Sequence, residues 1–513
     1  MKTCYSPIFL SFFLSFCITS NAQHFSAHDV SEENLGTHIQ YLASDSLKGR
    51  GINSPELNIA AEYIKDNLRY MEMSGFENGF FQPFTLTSLQ ADKGNSFLKV
   101  LNKRGKEKKS IQRFIAFNQN VNDLDIQGEL VFAGFGMFDS FAADNNLRES
   151  DIKDKIILYS AGTPETFREG SAHKFNNALE RDKMKKMQDA GAKAVILVTS
   201  IQDSSNTTYN QILHMTERQK YTLEAGEAGN LPDIFIINPE TADKITGRKM
   251  NWGKTLQAIS ASKEQKLPAL KNNRVHIRSV ISEQLVEAKN VVALVEGSDS
   301  LLKDECITYV AHYDHLGTGK NGAIYNGADD NASGVATLLE VARMFSQLPE
   351  KPKRSILFLF PSAEEIGLYG SEYYSQNPLF PMEKTVACIN LDMVGRVYEE
   401  RDSVWSGSPK QVKDFNGIYA LVNDFSLHLK ELTTEVCSSL QLEPDFSLPS
   451  RFFYNSDHYH FHKNKVPVLN ISTGYSADYH KPTDTADRVR TDKIKRIAQL
   501  CFQAGMELAN QEE

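Results

Sequence analysis

The sequence predicts an α/β protein with a mostly parallel central sheet flanked by helices, and three observations predict it. Short strand-like runs alternate with helical segments through residues 275–513, the pattern of an α/β sheet. Each run is continuously apolar or β-branched rather than alternating, as expected of strands covered by helices on both faces. Several runs end on a histidine or a carboxylate, and open α/β sheets bind ligands outside the carboxyl ends of their strands.

The chain opens MKTCYSPIFLSFFLSFCITSNAQHF. Lys2 supplies a positive n-region, Ile8 to Ile18 an apolar h-region too short to span a bilayer, and Ser20-Asn21-Ala22 the small residues of a cleavage site. This reads as a secretory signal over 1–22, cleaved after Ala22, for a secreted or periplasmic protein. Lipoprotein processing at Cys17 is the alternative, disfavoured because bulky Phe16 stands where a small residue belongs. Nothing later is long and apolar enough to anchor the mature chain in a membrane. Cys306, Cys388, Cys437 and Cys501 remain after cleavage, far apart and without a CxxC pair, so they form no zinc-knuckle pattern. Cys306 and Cys388 sit in apolar runs as expected buried thiols.

Residues 23–120 are expected to be the first part of the main domain. Ser54-Pro55 makes a helix start, with Ala60, Ile64, Leu68 and Met71 following at helical spacing. A strand is expected at Phe97–Val100. A separate module is expected over 121–274, with strands at Leu130–Ala133, Lys155–Tyr159, Ala194–Val198 and Asp233–Ile237, a helix at Lys183–Ala190 closed by Gly191, and a polar linker at Ala261–Asn273. Residues 275–513 carry the expected strands Val291–Leu294, Ile307–Ala311, Ser355–Phe360, Val386–Leu391 and Val468–Ser472, with helices at Gly334–Leu348 and Lys493–Asn510.

The chemistry lies at the strand ends. Ile307–Ala311 runs into His312-Tyr313-Asp314-His315, Ser355–Phe360 into Glu364-Glu365, Val386–Leu391 into Asp392, and Val468–Ser472 into a loop holding His480. The turn Asn326–Gly334 adds Asp329 and Asp330 before a helix. Carboxylates crowded on an apolar rim are costly without a compensating positive charge. A divalent cation supplies it, and histidine nitrogen with carboxylate oxygen suits zinc. Two histidines and three or more carboxylates exceed one tetrahedral site and fit two metals roughly 3.5–4 Å apart with a shared carboxylate. Each motif alone is an ordinary strand end or turn; together they would be independent accidents at one sheet edge.

The motifs AHYDHLG, NGADDNASG, AEEIGLYGS, NLDMVG, SDHYHF and YHKPTDT resemble those of the co-catalytic di-zinc aminopeptidase family, whose relatives include glutamate carboxypeptidase. The resemblance covers 28–95 and 275–495 in order, and the middle module resembles a protease-associated domain of β/α build inserted into the α/β/α peptidase fold. It implies two Zn2+ ions: His312 and Asp392 on one, Glu365 and His480 on the other, Asp330 bridging through a turn whose Asp330-Asn331 peptide is cis in relatives. It implies Asp314 as acceptor of the free His312 ring N–H and Glu364 as the general base that takes a proton from water and returns it to the leaving amine. Lys481 stands where many relatives have Thr. Tyr454 is a weak candidate donor to the oxyanion, one residue out of register. His458, His460 and His462 are read as structural residues rather than ligands.

The function implied is a secreted zinc exopeptidase, an aminopeptidase acting on peptides. A carboxypeptidase or a glutaminyl-cyclase-like enzyme could use the same scaffold, and a non-catalytic receptor-like relative is the reading of another class. A formal charge of −9 argues against a nucleic-acid partner. Sequence does not give the oligomeric state.

Overall fold

The fold is known from a computed structural model describing residues 30–512, apart from 103, 112–113, 118–122, 138–148, 165–176, 200–205, 217–218, 224–232, 247–249, 262–269, 271–273 and 405–408. The expected signal segment 1–22, with Cys4 and Cys17, and most of the expected linker Ala261–Asn273 lie outside the described residues.

The main sheet has nine strands, in the order Glu443–Asp445, Gly417–Val422, Val468–Ser472, Thr385–Leu391, Cys306–Val310, Ser355–Phe360, Ile281–Val295, Phe81–Ala91 and Lys220–Thr222. The run Val468–Ser472, Thr385–Leu391, Cys306–Val310 and Ser355–Phe360 is parallel throughout. These are the strands read from continuous apolar runs, and Ser355–Phe360 is buried at every position. Outside them the sheet is mixed. Ser355–Phe360 pairs antiparallel with Ile281–Val295, which pairs antiparallel with Phe81–Ala91. The expected short strand Val291–Leu294 is thus the end of a 15-residue ribbon. Its first half is largely exposed, with Ser282, Glu283, Gln284 and Leu285 exposed in succession, so no continuous apolar run marked it. The expectation of a mostly parallel sheet therefore holds for the centre and not for the flanks. Strands Gly417–Val422 and Glu443–Asp445, with the helix Leu427–Ser439 between them, were not anticipated.

Helices cover both faces. Pro55–Tyr70 starts as read: the Ser54 hydroxyl accepts from Leu57 N–H at 3.1 Å, and Leu57, Ala60, Ala61, Ile64 and Leu68 are buried. On the same face, Gly334–Ser346 and Thr491–Asn510 pack over the sheet. Tyr309 stacks on Phe358 with centroids 5.4 Å apart, and Phe345 meets Phe502 at 4.8 Å. The Tyr309 hydroxyl donates to the Cys501 carbonyl at 2.7 Å. A Cβ at Gly505 would lie 1.7 Å from that hydroxyl, so the close approach requires glycine. The opposite face is filled by Tyr374, Phe461, Cys306 and Cys388 among others. Cys306, Cys388, Cys437 and Cys501 are buried and form no disulfide.

A second sheet of eight strands forms the inserted module. Leu124–Phe132, Ile156–Ser160, Ala194–Val198 and Ile234–Ile237 run parallel at its centre, near where the sequence put them. The helix Asn177–Asp189 precedes Gly191, whose φ of 80° suits the left-handed position after a helix end. This sheet also takes in Phe97–Leu101, Glu107–Ile111, Ile115–Phe117 and Arg274–Ser279, so it reaches beyond the 121–274 span on both sides. Conversely, Lys220–Thr222, from inside that span, joins the edge of the main sheet. Among the described residues no helix is long and apolar enough to cross a membrane.

Candidate metal centre

The parallel strands deliver the site at their carboxyl ends. His312 and Asp314 follow Cys306–Val310, Glu364 and Glu365 follow Ser355–Phe360 through Ala363 at a φ of 61°, and Asp392 directly follows Thr385–Leu391. His480, at a φ of 54°, lies in the loop after Val468–Ser472. Asp330 sits in the helical turn Ala328–Ser333, and the Asp330–Asn331 peptide is cis. Asn331 ties this turn to its neighbours. Its Nδ2 donates to the Leu391 carbonyl at 2.8 Å, and its Oδ1 accepts from Gly334 and Met393 N–H at 3.0 and 3.3 Å. Asp330 and Asp392 are thereby fixed relative to each other.

Two groups converge, each able to hold a metal ion: His312 with Asp330 and Asp392, and His315 with Asp330 and Glu365. His312 Nε2 lies 3.5 Å from one oxygen each of Asp330 and Asp392. His480 Nε2 lies 3.2 Å from Asp330 Oδ2 and 3.1 Å from Glu365 Oε2. Asp330 thus turns one oxygen towards His312 and the other towards His480. All five residues expected as ligands are in one place, and Glu364 is beside them, with Oε2 at 3.9 Å from His312 Nε2.

Asp314 differs from its expected contact. The nearest oxygen to His312 Nδ1 is the Asp314 backbone carbonyl at 3.3 Å, and the carboxylate is at 3.8 Å. The carboxylate instead accepts Glu364 N–H at 3.2 Å and Glu365 N–H at 3.3 Å. The reason is local: after the Ala363 turn both amides point back at the neighbouring strand end.

Electrostatics make the cluster a site for cations. Burial disfavours protonated imidazole at His312, but Glu364, Asp392 and Asp330 outweigh it and raise its pKa well above the ordinary value. At His480 burial is likewise outweighed by Asp330 and Glu365, which hold the imidazole at about 10. Burial pushes the Asp314 carboxyl up to about 6, and burial with Asp484 nearby pushes Asp329 up to about 8. Burial also raises Glu364 well above the usual carboxyl range. Burial works against ionising Glu365, yet His315 and His480 hold it well below that range. Carboxylates that draw protons onto two imidazoles this strongly would favour a divalent cation in their place. Asp392 Oδ1 and His315 Nε2 are buried with no hydrogen-bond partner, the kind of orphan that metal coordination or an ordered water resolves. The residues therefore fit a metal pair.

Three contributors were missed from sequence. His315 Nδ1 lies 2.5 Å from Glu365 Oε1. Asp484 accepts Asp329 and Asp330 N–H at 3.0 and 3.1 Å. Arg50, 1% exposed, donates to the carbonyls of Tyr313 at 2.8 Å, Asn326 at 2.8 Å, Gly327 at 2.9 Å and Leu42. It fastens the first segment under both the His312 strand end and the Asp330 turn. Of the weaker candidates, Tyr454 is 63% exposed against Tyr459. His458 and His462 pack on Phe453.

Residues 290–505 match the description of peptidase family M28, and residues 126–238 match the PA domain. Residues 290–505 are thus a peptidase family M28 region, with the PA domain ahead of it. The chain is 23% identical over 391 residues to Aminopeptidase YwaD of Bacillus subtilis (strain 168), covering 74% of this chain and 67% of that one. It is 29% identical over 233 residues to the uncharacterized protein YfbL of Escherichia coli (strain K12), covering 41% and 68%. Its fold is similar to that of an aminopeptidase from Aneurinibacillus sp. strain AM-1, with a TM-score of 0.55 at 21% identity over 95% of this chain and 97% of that one. The expected α/β peptidase fold with an inserted PA domain is thus the observed one.

Proposed function

We propose that this chain is a secreted, zinc-dependent aminopeptidase that removes residues from the N-termini of peptides. The observation that carries the reading is Asp330, whose two carboxylate oxygens face His312 and His480 separately. It would bridge two zinc ions, one held with His312 and Asp392, the other with Glu365 and His480. Bound there, zinc supplies Lewis acidity towards the scissile carbonyl and towards water. The donor set favours zinc over softer metals because it is nitrogen and oxygen, while the four cysteines are buried elsewhere.

The protein's own residues do the rest. Glu364 takes a proton from the attacking water and returns it to the leaving amine. Asp314 fixes the backbone of Glu364 and Glu365 by accepting both amides, so base and ligand keep their mutual orientation. His315 holds the second oxygen of Glu365 and thereby aims the first at His480. Aminopeptidase, rather than carboxypeptidase, is supported by the names of its relatives YwaD and the Aneurinibacillus enzyme. Export through the signal segment 1–22, cleaved after Ala22, completes the reading.

The test is a substrate panel run beside zinc analysis of the purified enzyme. Amino-acid p-nitroanilides and peptides with free amino termini should be hydrolysed, N-blocked peptides spared, and turnover lost to a chelator and restored by zinc. Cleavage of blocked peptides only would make it a carboxypeptidase or endopeptidase. Cyclisation of N-terminal glutamine would make it a cyclase, and zinc-free protein inert after zinc addition would favour a receptor-like relative.

A further inference from the structure

Beside the metal centre lies a cavity of about 360 Å³ whose wall includes Glu365, His315, Leu316, Ile366, Ile52 and Tyr221. Five of these belong to the peptidase domain. Tyr221 belongs to the inserted PA domain and reaches the cavity because Lys220–Thr222 has left its own sheet. That strand pairs antiparallel with residues 87–89 at the edge of the main sheet, with Ser88 opposite Tyr221. Gln219 Nε2 donates to Ser88 Oγ, and the Tyr369 hydroxyl donates to the Tyr221 carbonyl. Tyr369 stands four residues beyond Glu365, on the segment that carries the site. The Tyr221 side chain packs with Ile52 and Ile366 against the apolar cluster of Phe84, Leu86 and Val286. The inserted domain is thus stitched to the segment that delivers Glu364 and Glu365, and its Tyr221 lines the space next to them.

We propose that this cavity is a subsite for one apolar side chain flanking the scissile bond, and that Tyr221 makes the inserted domain a determinant of substrate specificity. The inference rests on the peptidase reading of the adjoining site. Its volume is near the low end of ligand pockets, roughly 300–1,000 Å³, so it suits one side chain rather than a length of peptide. Lys48 and Glu56, which also line it, pair with each other at 2.7 Å. Ile52, Leu316, Ile366 and Tyr221 give it an apolar part, beside Ser54 and Thr318, that favours an apolar occupant. An insert that only covered a sheet edge would need the strand pairing but no ring in this cavity.

The experiment compares full-length unmodified enzyme with Tyr221→Ala, Tyr221→Trp and Leu316→Ala on two series. One is Xaa-p-nitroanilides, varying the residue before the bond; the other is Leu-Xaa dipeptides, varying the residue after it. In one series, Tyr221→Ala and Leu316→Ala should raise kcat/KM for bulky over small Xaa about tenfold, mostly through KM, and Tyr221→Trp should move the ratio the other way. Zinc content should stay as in the unmodified enzyme. An unchanged ranking in both series, or an equal loss on every substrate, would overturn the subsite. Should Tyr221→Ala fail to fold, the other two variants decide the matter. If the unmodified enzyme cleaves neither series, the peptidase reading itself fails and the subsite falls with it, a result distinct from cleavage with unchanged ranking.

Discussion

Glu364→Gln should lower kcat roughly 10³-fold, within the 10²–10⁴ typical of general acid–base catalysis, while the enzyme keeps its metal. The amide is the same size as the carboxyl, so packing is preserved. The backbone N–H of Glu364 still donates to Asp314, because that bond does not involve the side chain. What is lost is a group that can accept a proton. Of the neighbouring carboxylates, Glu365, Asp330 and Asp392 are the proposed ligands and Asp314 is taken up by two backbone amides. KM should change little, the signature of an interaction made mainly in the transition state. Steady-state kinetics with zinc analysis check it; near-normal turnover would remove Glu364 from the mechanism.

Asp330→Ala should have the larger structural effect, emptying both metal positions at once and taking turnover below detection. Its two oxygens face different histidines, at 3.5 Å and 3.2 Å, and among the described residues it is the member shared by both groups able to hold a metal. Asp392→Ala, by comparison, should weaken one position and leave the other. The loss should also appear in stability. A ligand at a hundred times its Kd stabilises the native state by about 2.7 kcal/mol, so zinc should raise the Tm of the unmodified enzyme and leave that of Asp330→Ala unmoved. Zinc titration followed by calorimetry reads this directly. A zinc-dependent rise in the variant would show that Asp330 is not the shared ligand.

The metal-centre residues were legible because a parallel sheet writes its site into the sequence. A buried strand is a continuous apolar run, and the first polar residues after it mark the functional edge. His312, Glu365 and Asp392 are each found this way. Asp330 and His480 lack such a run immediately before them: His480 was found in the loop after Val468–Ser472 and Asp330 in the turn before a helix, and the motif resemblance gave each its part in the cluster. Arg50 was not legible: in Lys48-Gly49-Arg50-Gly51 it looks like a surface turn. Its burial depends on carbonyls of Tyr313, Asn326 and Gly327, more than 260 residues away, and sequence periodicity carries no such information. His315 stands in the same run as His312 but was given no role, because its contact is with Glu365, fifty residues on. The edge strand Lys220–Thr222 was missed for another reason. Three residues are too few to form a pattern, and what makes them a strand is the exposed edge at 87–89 that they cover.

The di-metal assignment is the centre of this account, and an anomalous difference map recorded at the zinc edge from crystals of the purified enzyme tests it most directly. The account predicts two peaks flanking the Asp330 carboxylate, one between His312 and Asp392 and the other between Glu365 and His480. A single peak, or peaks that leave Asp330 uncoordinated, would contradict it.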